Sequence, residues 1–434
     1  MLFVLSACQT ETRFVAVELE DTETTSQQTE TDSASDLDDD TGTGSESVAE
    51  DETDSGSTAD TDTSDTEDTQ PAESDSNVTT DDTESDTGTE TGSEMDTSTT
   101  TASETETDSC TSCGLPESFD WESSPPIILP AEGDVQIKDP TAVYYEDDDK
   151  WLVYATTRHE EGSADGQWGM TYLSVADWEL AGTATHTSVG ANNPELASYN
   201  VSPQLFYFSE DGLWYLIYQT QDPAYSTSSD PTDVASWSAP EMLMTIPKDF
   251  FEAPDSNYGI DYWVICDNDE CFLFFSALNN ILYMVRTPRM DFPNGFAESE
   301  IEIAMHNVNY NIFQGCSVYT INNDEGTTYL LIGMAFSGIR HYFGAWTSDS
   351  LGGNDWNELA VTEAEAFASL LNVTWIGEEW AADGIYQGEM LRANPDETMT
   401  IDTSDMRFLY QGLVSRGASE SENEYGLGLL TYKQ

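Results

Sequence analysis

Basic residues are what this chain most lacks: its 434 residues include 84 Asp and Glu but only 12 Lys and Arg, a formal charge of −72. A surface of that sign repels phosphate backbones and anionic headgroups, so nucleic acid and acidic polysaccharide are excluded as partners and a neutral ligand is expected. Solubility in salty surroundings is a second use for such acidity. Long apolar runs are missing too. Nothing approaches the roughly 18 to 20 residues that span a bilayer, which leaves a lipid anchor as the only route to a membrane. The four histidines, His159, His186, His306 and His341, form no HExxH pair, which argues against a zinc hydrolase. There is no GxSxG, no Walker-type loop and no GxGxxG between strand and helix. No long stretch shows 3.6-residue periodicity, so a helical fold is excluded as well.

The charge is unevenly spread. Between Thr10 and Ser109 lie 33 acids and one base, Arg13, in a tract built almost wholly of Thr, Ser, Asp, Glu and Gly. Such a tract has too little apolar area to offset roughly 1 to 2 kcal/mol of backbone entropy per ordered residue, so residues 9–109 are expected to be a disordered linker. Ahead of it stands MLFVLSAC, ending in Leu5-Ser6-Ala7-Cys8. That run resembles a bacterial lipobox, in which the Cys becomes the lipidated first residue. With no basic n-region before it, residues 1–8 are read as the remnant of a lipoprotein signal peptide whose start lies upstream. The expected product is an exported protein, either a cell-surface or outer-membrane lipoprotein or secreted. Its linker would be a tether with coil dimensions of roughly 55 Å.

Cysteine usage agrees with export. Cys266 and Cys271 flank a turn in WVICDNDECFLFF and allow a cross-strand disulfide if their Cβ atoms face each other. Cys110 and Cys113 form a CxxC with no second pair or His partner, weak grounds for zinc or redox chemistry, so a local disulfide is the reading taken. Cys316 is left over as a buried free thiol.

Past Pro116 the dominant signal is the β hairpin. TAVYYEDDDKWLVYATT is followed by PQLFYFSEDGLWYLIYQT, DYWVICDNDECFLFFSA, CSVYTINNDEGTTYLLIGMA and, more loosely, GEMLRANPDETMTIDTSDMRFLYQG. From Val143 through Leu205, Trp263, Val318 and Met390 the spacings are 62, 58, 55 and 72 residues. A period of that size indicates repeats. Further strands ending in Trp or Phe turns, such as MTYLSVADWEL, bring each unit to about four strands. Residues 110–434 are therefore expected to be all-β, a five-bladed β-propeller. A two-sheet sandwich would give no reason for the period. Trp168, Trp214, Tyr258 and Trp263 could stack on sugar rings, though most such residues pack blades.

The first strand of each propeller blade lies innermost, so residues just before those strands should gather at one mouth. They are Lys138-Asp139, Ser202-Pro203, Asp261, Gln314, and Gln387 with Glu389. Carboxylates distant in sequence thereby converge, as glycoside hydrolysis requires.

These segments resemble glycoside hydrolase family 62, the α-L-arabinofuranosidases that remove arabinose side chains from arabinoxylan. The likeness runs in order through CGLPESFDW, VQIKDPTAVYY, SPQLFYFSEDGLWYLIYQT, DYWVICDNDECFLFFS, FPNGFAESEI, GEMLRANPDETMTI and FLYQGL. It implies a five-bladed propeller and an inverting mechanism. By the same resemblance Asp139 is the general base, Lys138 a contact to arabinose, and Asp261 the residue that tunes and orients the acid. Glu389 is expected to contact substrate. The family's general acid, a Glu, falls on Gln314. A carboxamide has no titratable proton to deliver, and general acid assistance is commonly worth about 10²- to 10⁴-fold. Other departures are Gly259 for a Trp, Gln387-Gly388-Glu389 for HGE, and the acidic stretch Glu420 to Glu424 for a Tyr-Asn pair. The missing His removes one expected ligand of any metal at the channel centre, and no cofactor is expected. The resemblance also leaves Cys113 to pair with Cys110.

Two functions follow. One is an exported, monomeric arabinofuranosidase-type hydrolase on arabinoxylan or arabinan, with Glu389 or Asp383 standing in for the acid or a substrate with a better leaving group. The other is a surface-tethered protein that holds polysaccharide without cleaving it.

Overall fold

The computed structural model describes residues 114–160, 167–247, 250–251, 259–306, 312–323, 326–338 and 340–434. The expectations for Cys8, for the linker at 9–109, for Cys110 and Cys113 and for Tyr258 lie outside the described residues.

The described chain is nearly all β, with one α-helical turn at Val189–Asn192 and a few 3-10 turns. The strands form four sheets, and the hairpins foreseen in the sequence are their centres. In the first hairpin, Asp134–Tyr145 pairs antiparallel with Lys150–His159. Its acidic turn closes because Asp149 takes a left-handed φ of 54°, which Asp tolerates better than most residues. Gly212 does the same at φ 66° in the second turn. In the third, the Asp267 carboxylate accepts from the Asp269 and Glu270 amides, both at 2.8 Å. That turn holds Cys266 opposite Cys271, and the two form a disulfide with Cα atoms 4.0 Å apart.

The first and last units share one nine-stranded sheet, joined through the Gln136–Tyr425 bridge. The N-terminal strand Trp121–Ser123 lies beside the C-terminal strand Glu424–Tyr432 in that sheet, tying the two ends of the domain together. The innermost strands are Asp134–Tyr145, Val201–Phe208, Ile260–Cys266, Ile312–Asn323 and Tyr386–Met390. Each packs on the next, and the fifth returns to the first. The fold is propeller-like.

Strand alternation sends neighbouring side chains to opposite faces, and that alternation fills the spaces between sheets. Val143 and Leu152 pack with Leu205 and Trp214 of the second unit, whereas Ala142 and Val153 pack with Leu409 and Leu427 of the fifth. Phe206, Tyr215 and Ile217 turn the other way, into the largest core, with the third unit. Trp214 and Trp263 are core residues in this scheme rather than free sugar platforms.

Polar seams join the inner strands. The Leu205 amide donates to Thr141 Oγ1 (3.1 Å), Gln204 exchanges two 2.7 Å bonds with the backbone of Val264, Trp263 Nε1 donates to the Val318 carbonyl (2.9 Å), and the Met390 amide donates to the Tyr319 hydroxyl (3.0 Å). Gln411 Oε1 accepts the Asp139 amide at 3.3 Å and closes the circuit.

The fifth hairpin departs from the others because its loop is long. After Met390 the chain crosses the far ends of three inner strands, accepting the amides of Tyr207 at Pro395, Cys266 at Glu397 and Thr320 at Met399. The wider 72-residue spacing in the sequence reflects this crossing.

Gln204→Leu should leave the buried N–H and C=O of Val264 unpaired. At about 1 to 3 kcal/mol for each such group, a loss of about 2 to 6 kcal/mol is expected, read as a lower urea midpoint at unchanged slope.

Candidate active site

Asp139, Ser202, Asp261 and Gly315 share an unusual backbone. Their φ values are 47°, 51°, 56° and 66°, all left-handed. In each case the strand pairing slips at that residue, forming a β-bulge. The mouth residues therefore sit within the inner strands, not just before them. A bulge lets pairing resume beyond it while turning one side chain out of the ladder. Glycine adopts this φ without strain, whereas other L-residues do so at a cost of about 1 to 2 kcal/mol. Only Gly315 is free of that cost. Gly315, and not Gln314, holds the register position equivalent to Asp139 and Asp261.

Bulging frees amides as well as side chains, and side chains of the preceding unit receive them. Ser202 N–H donates to Thr156 Oγ1 (2.8 Å) and Asp261 N–H to Gln219 Oε1 (3.2 Å), as Asp139 N–H does to Gln411.

The turned-out side chains meet. Ser202 Oγ lies 3.0 Å from Asp261 Oδ1 and 3.4 Å from Asp139 Oδ2, so its single proton can serve either carboxylate. The Gly315 amide donates to Asp261 Oδ2 at 3.0 Å. A cavity of about 20 Å³, lined by Asp139, Ser202, Asp261, Ser317, Gln387 and Glu389 among others, opens between them. It has room for about one water.

The charge states differ by environment. Burial pushes Asp261 up to about 6, and the neighbouring Asp139 charge pushes the same way. Asp139 is also raised by burial, while Lys138 and the Thr156 and Ser202 hydroxyls pull it back. Glu389, again raised by burial, is held by Arg392, with Arg392 Nε at 2.9 Å. Arg392 in turn donates to the Leu205 carbonyl at 2.6 Å.

Beside the cavity, Lys138 Nζ sits 4.8 Å from the Tyr425 ring and 5.8 Å from that of Trp168. His341 stacks on Tyr386 at 4.3 Å, and Tyr386 meets Tyr425 edge-on. Burial and the Lys138 charge hold His341 down to about 4, so it is neutral near pH 7. The sequence reading did not single out Tyr386, Tyr425 or a site role for His341. Asn423 and Tyr425 are buried within and just after the stretch read as merely acidic.

Gln314 is half-buried, next in the chain to the glycine that anchors Asp261, and its side chain is not among those lining the cavity. Asp383 is paired with Arg416. Cys316 is a buried free thiol whose pKa burial raises. Gly259 has no space for a larger residue: a Cβ there would come within 2.7 Å of Phe275 and 2.8 Å of the Tyr262 hydroxyl. At the position of the family's His, Gln387 hydrogen-bonds Asp261. No group of three or more metal-binding side chains occurs among the described residues.

Residues 120–431 match the sequence model of glycosyl hydrolase family 62, and the chain belongs to that family. It is 36% identical over 326 residues to alpha-L-arabinofuranosidase C of Cellvibrio japonicus, which covers 74% of this chain but only 48% of that protein. The chain thus spans about half the length of that curated relative. Among solved structures, the catalytic domain of the Coprinopsis cinerea GH62 α-L-arabinofuranosidase is 36% identical with a TM-score of 0.67, covering 74% of this chain and 98% of that one. PaAbf62A of Podospora anserina, in complex with cellotriose, is 33% identical with the same TM-score and the same coverage. A GH62 hydrolase in complex with xylotriose is 34% identical, with a TM-score of 0.66, over 73% of this chain and 98% of that one.

An unfolded-chain Asp titrates near 3.9, below the value of about 6 that Asp261 has when folded. Between these values the folded state binds the extra proton, so the group's effect on stability turns unfavourable as pH rises through that window and stays so above it. Asp261→Asn removes the effect. Its stability relative to wild type should increase from pH 4 to pH 7 by on the order of 2 kcal/mol, read by urea unfolding at each pH. A difference that is flat with pH would refute the raised pKa.

Proposed function

We propose that this family 62 chain is an arabinofuranosidase-type hydrolase, built on a five-bladed propeller, that removes arabinofuranosyl side chains from arabinoxylan with inversion. One observation carries the reading: Asp139, Ser202 and Asp261, from three sheets and all on left-handed bulges, converge on one cavity. The circuit of five inner strands supports the five-bladed ring. Its relatives' complexes with cellotriose and xylotriose are in keeping with a neutral chain as ligand.

In this reading Asp139 is the general base. The Lys138 charge and two hydroxyl donors favour its ionised form. It takes a proton from water as that water attacks the anomeric carbon, on the face opposite the departing xylan oxygen. Asp261 orients the opposing group and sets the local charge. Lys138 and the Trp168, Tyr386 and Tyr425 rings offer a cation and apolar faces to the sugar. An acyl anchor at Cys8, followed by the acidic 9–109 segment, would hold the domain off a membrane as an exported monomer.

Gln314 favours a second reading. Its amide has no titratable proton to give, and the next carboxyls in line, Glu389 and Asp383, are each paired with an arginine that has to be displaced before either can turn to a leaving oxygen. Neither is suited to replace the acid. A protein that holds polysaccharide with little turnover is the consequence.

Release of free arabinose from wheat arabinoxylan decides between them. The wild-type chain should be slow, Gln314→Glu should gain about 10²- to 10⁴-fold, and Asp139→Ala in that background should abolish the gain. Fast wild-type release would instead require an acid elsewhere, and Glu389→Gln would test the nearest one.

A further inference from the structure

Ser202 enters the reading above only as one donor to Asp139, yet it touches both carboxylates. It occupies a left-handed bulge at φ 51°, where glycine would be unstrained. The strain therefore has to be matched by something the hydroxymethyl group supplies. Its amide is fixed by Thr156, so the side chain has little freedom to turn away. Oγ reaches Asp261 Oδ1 at 3.0 Å and Asp139 Oδ2 at 3.4 Å.

We infer that Ser202 is a positioning residue that bridges Asp139 and Asp261, holding the two carboxyls at a fixed separation and coupling their protonation through its one hydroxyl proton. When Asp261 is ionised, the hydroxyl donates to it. When Asp261 is protonated, the hydroxyl is released to donate to Asp139 and favours the charged base. Two carboxylates so linked titrate as a pair, not as independent sites.

The remaining groups around the bridge leave this role to Ser202. From the first inner strand Lys138 acts on Asp139. From the fourth, the Gly315 amide holds the other oxygen of Asp261, and the buried Cys316 thiol stays protonated. From the fifth, Gln387 bonds Asp261 while Glu389 is engaged by Arg392. His341 faces Lys138 and is neutral near pH 7. None of these contacts joins Asp139 to Asp261.

The catalytic meaning of the bridge rests on the proposed hydrolase, but its existence is testable without turnover. The full chain, labelled with ¹³C at Asp carboxyls, is titrated by NMR, with Asp139→Asn and Asp261→Asn identifying the two signals. Ser202→Ala deletes the hydroxyl, and Ser202→Gly deletes it while relieving the backbone, so folding is not at risk in both. Loss of a hydrogen bond to a charged group should raise the Asp261 titration, about 6 in wild type, by about one pKa unit in both variants. An unchanged titration in both, or a shift in only one, would overturn the bridge. The acid limb of arabinose release in a Gln314→Glu background should move up with it. A shifted titration in a protein that never releases arabinose would uphold Ser202 and defeat the hydrolase reading. Activity with an unshifted titration would do the reverse.

Discussion

The five inner strands do not pair with one another, and what holds them in a ring is a set of side-chain bonds between neighbouring units. Gln204 makes the clearest of these, with its amide standing in for a peptide group opposite Val264. Thr141, Trp263, Tyr319 and Gln411 serve the other junctions. Each bond involves a buried polar group that would be costly if left alone, so a wrong angle between sheets is penalised at several places together. The apolar cores between sheets supply most of the cohesion, but they are tolerant of small rotations. The polar seams are not, and the placement of the carboxylates depends on them.

The bulges use the same device for another end. At Asp139, Ser202 and Asp261 the strand gives up regular pairing and accepts a left-handed residue, and each freed amide goes to a side chain of the preceding unit. Three such residues in one small cavity is a concentration that packing alone does not call for. Backbone strain of this kind persists only where the surroundings over-determine it. Here they do, since amide and carboxylate are fixed independently. The fourth bulge has glycine, and its amide is spent on Asp261. Asp261 is thereby anchored from two sheets.

Much of this was legible in the sequence, for a physical reason. Alternating apolar residues and acidic turns act locally, so the hairpins at Val143, Leu205, Trp263 and Val318 declare themselves, and their shared register places Asp139 and Asp261 on one axis. The cross-strand pair Cys266 and Cys271 is equally local. What escaped the sequence depends on contacts between sheets. Nothing in ARNPDETMTI says that it will cross three other strands, because its bonds are to backbone groups of distant units. Tyr425 reads as the end of an acidic run until the fold sets it under Lys138. The bulge is also invisible in the pattern, which is why Gln314 aligns by sequence with a position that Gly315 fills in space.

The electrostatics of the cavity follow from which carboxyl has a cation of its own. Glu389 has Arg392 and Asp139 has Lys138, whereas Asp261 is given only hydrogen-bond donors. Burial raises all three carboxyls, and their local partners differ. Asp261, pushed up to about 6, is the one without a cation of its own. In the proposed hydrolase reading, an amide at Gln314 takes the place of the carboxyl that protonates the leaving oxygen, so the paired aspartates are left without that partner.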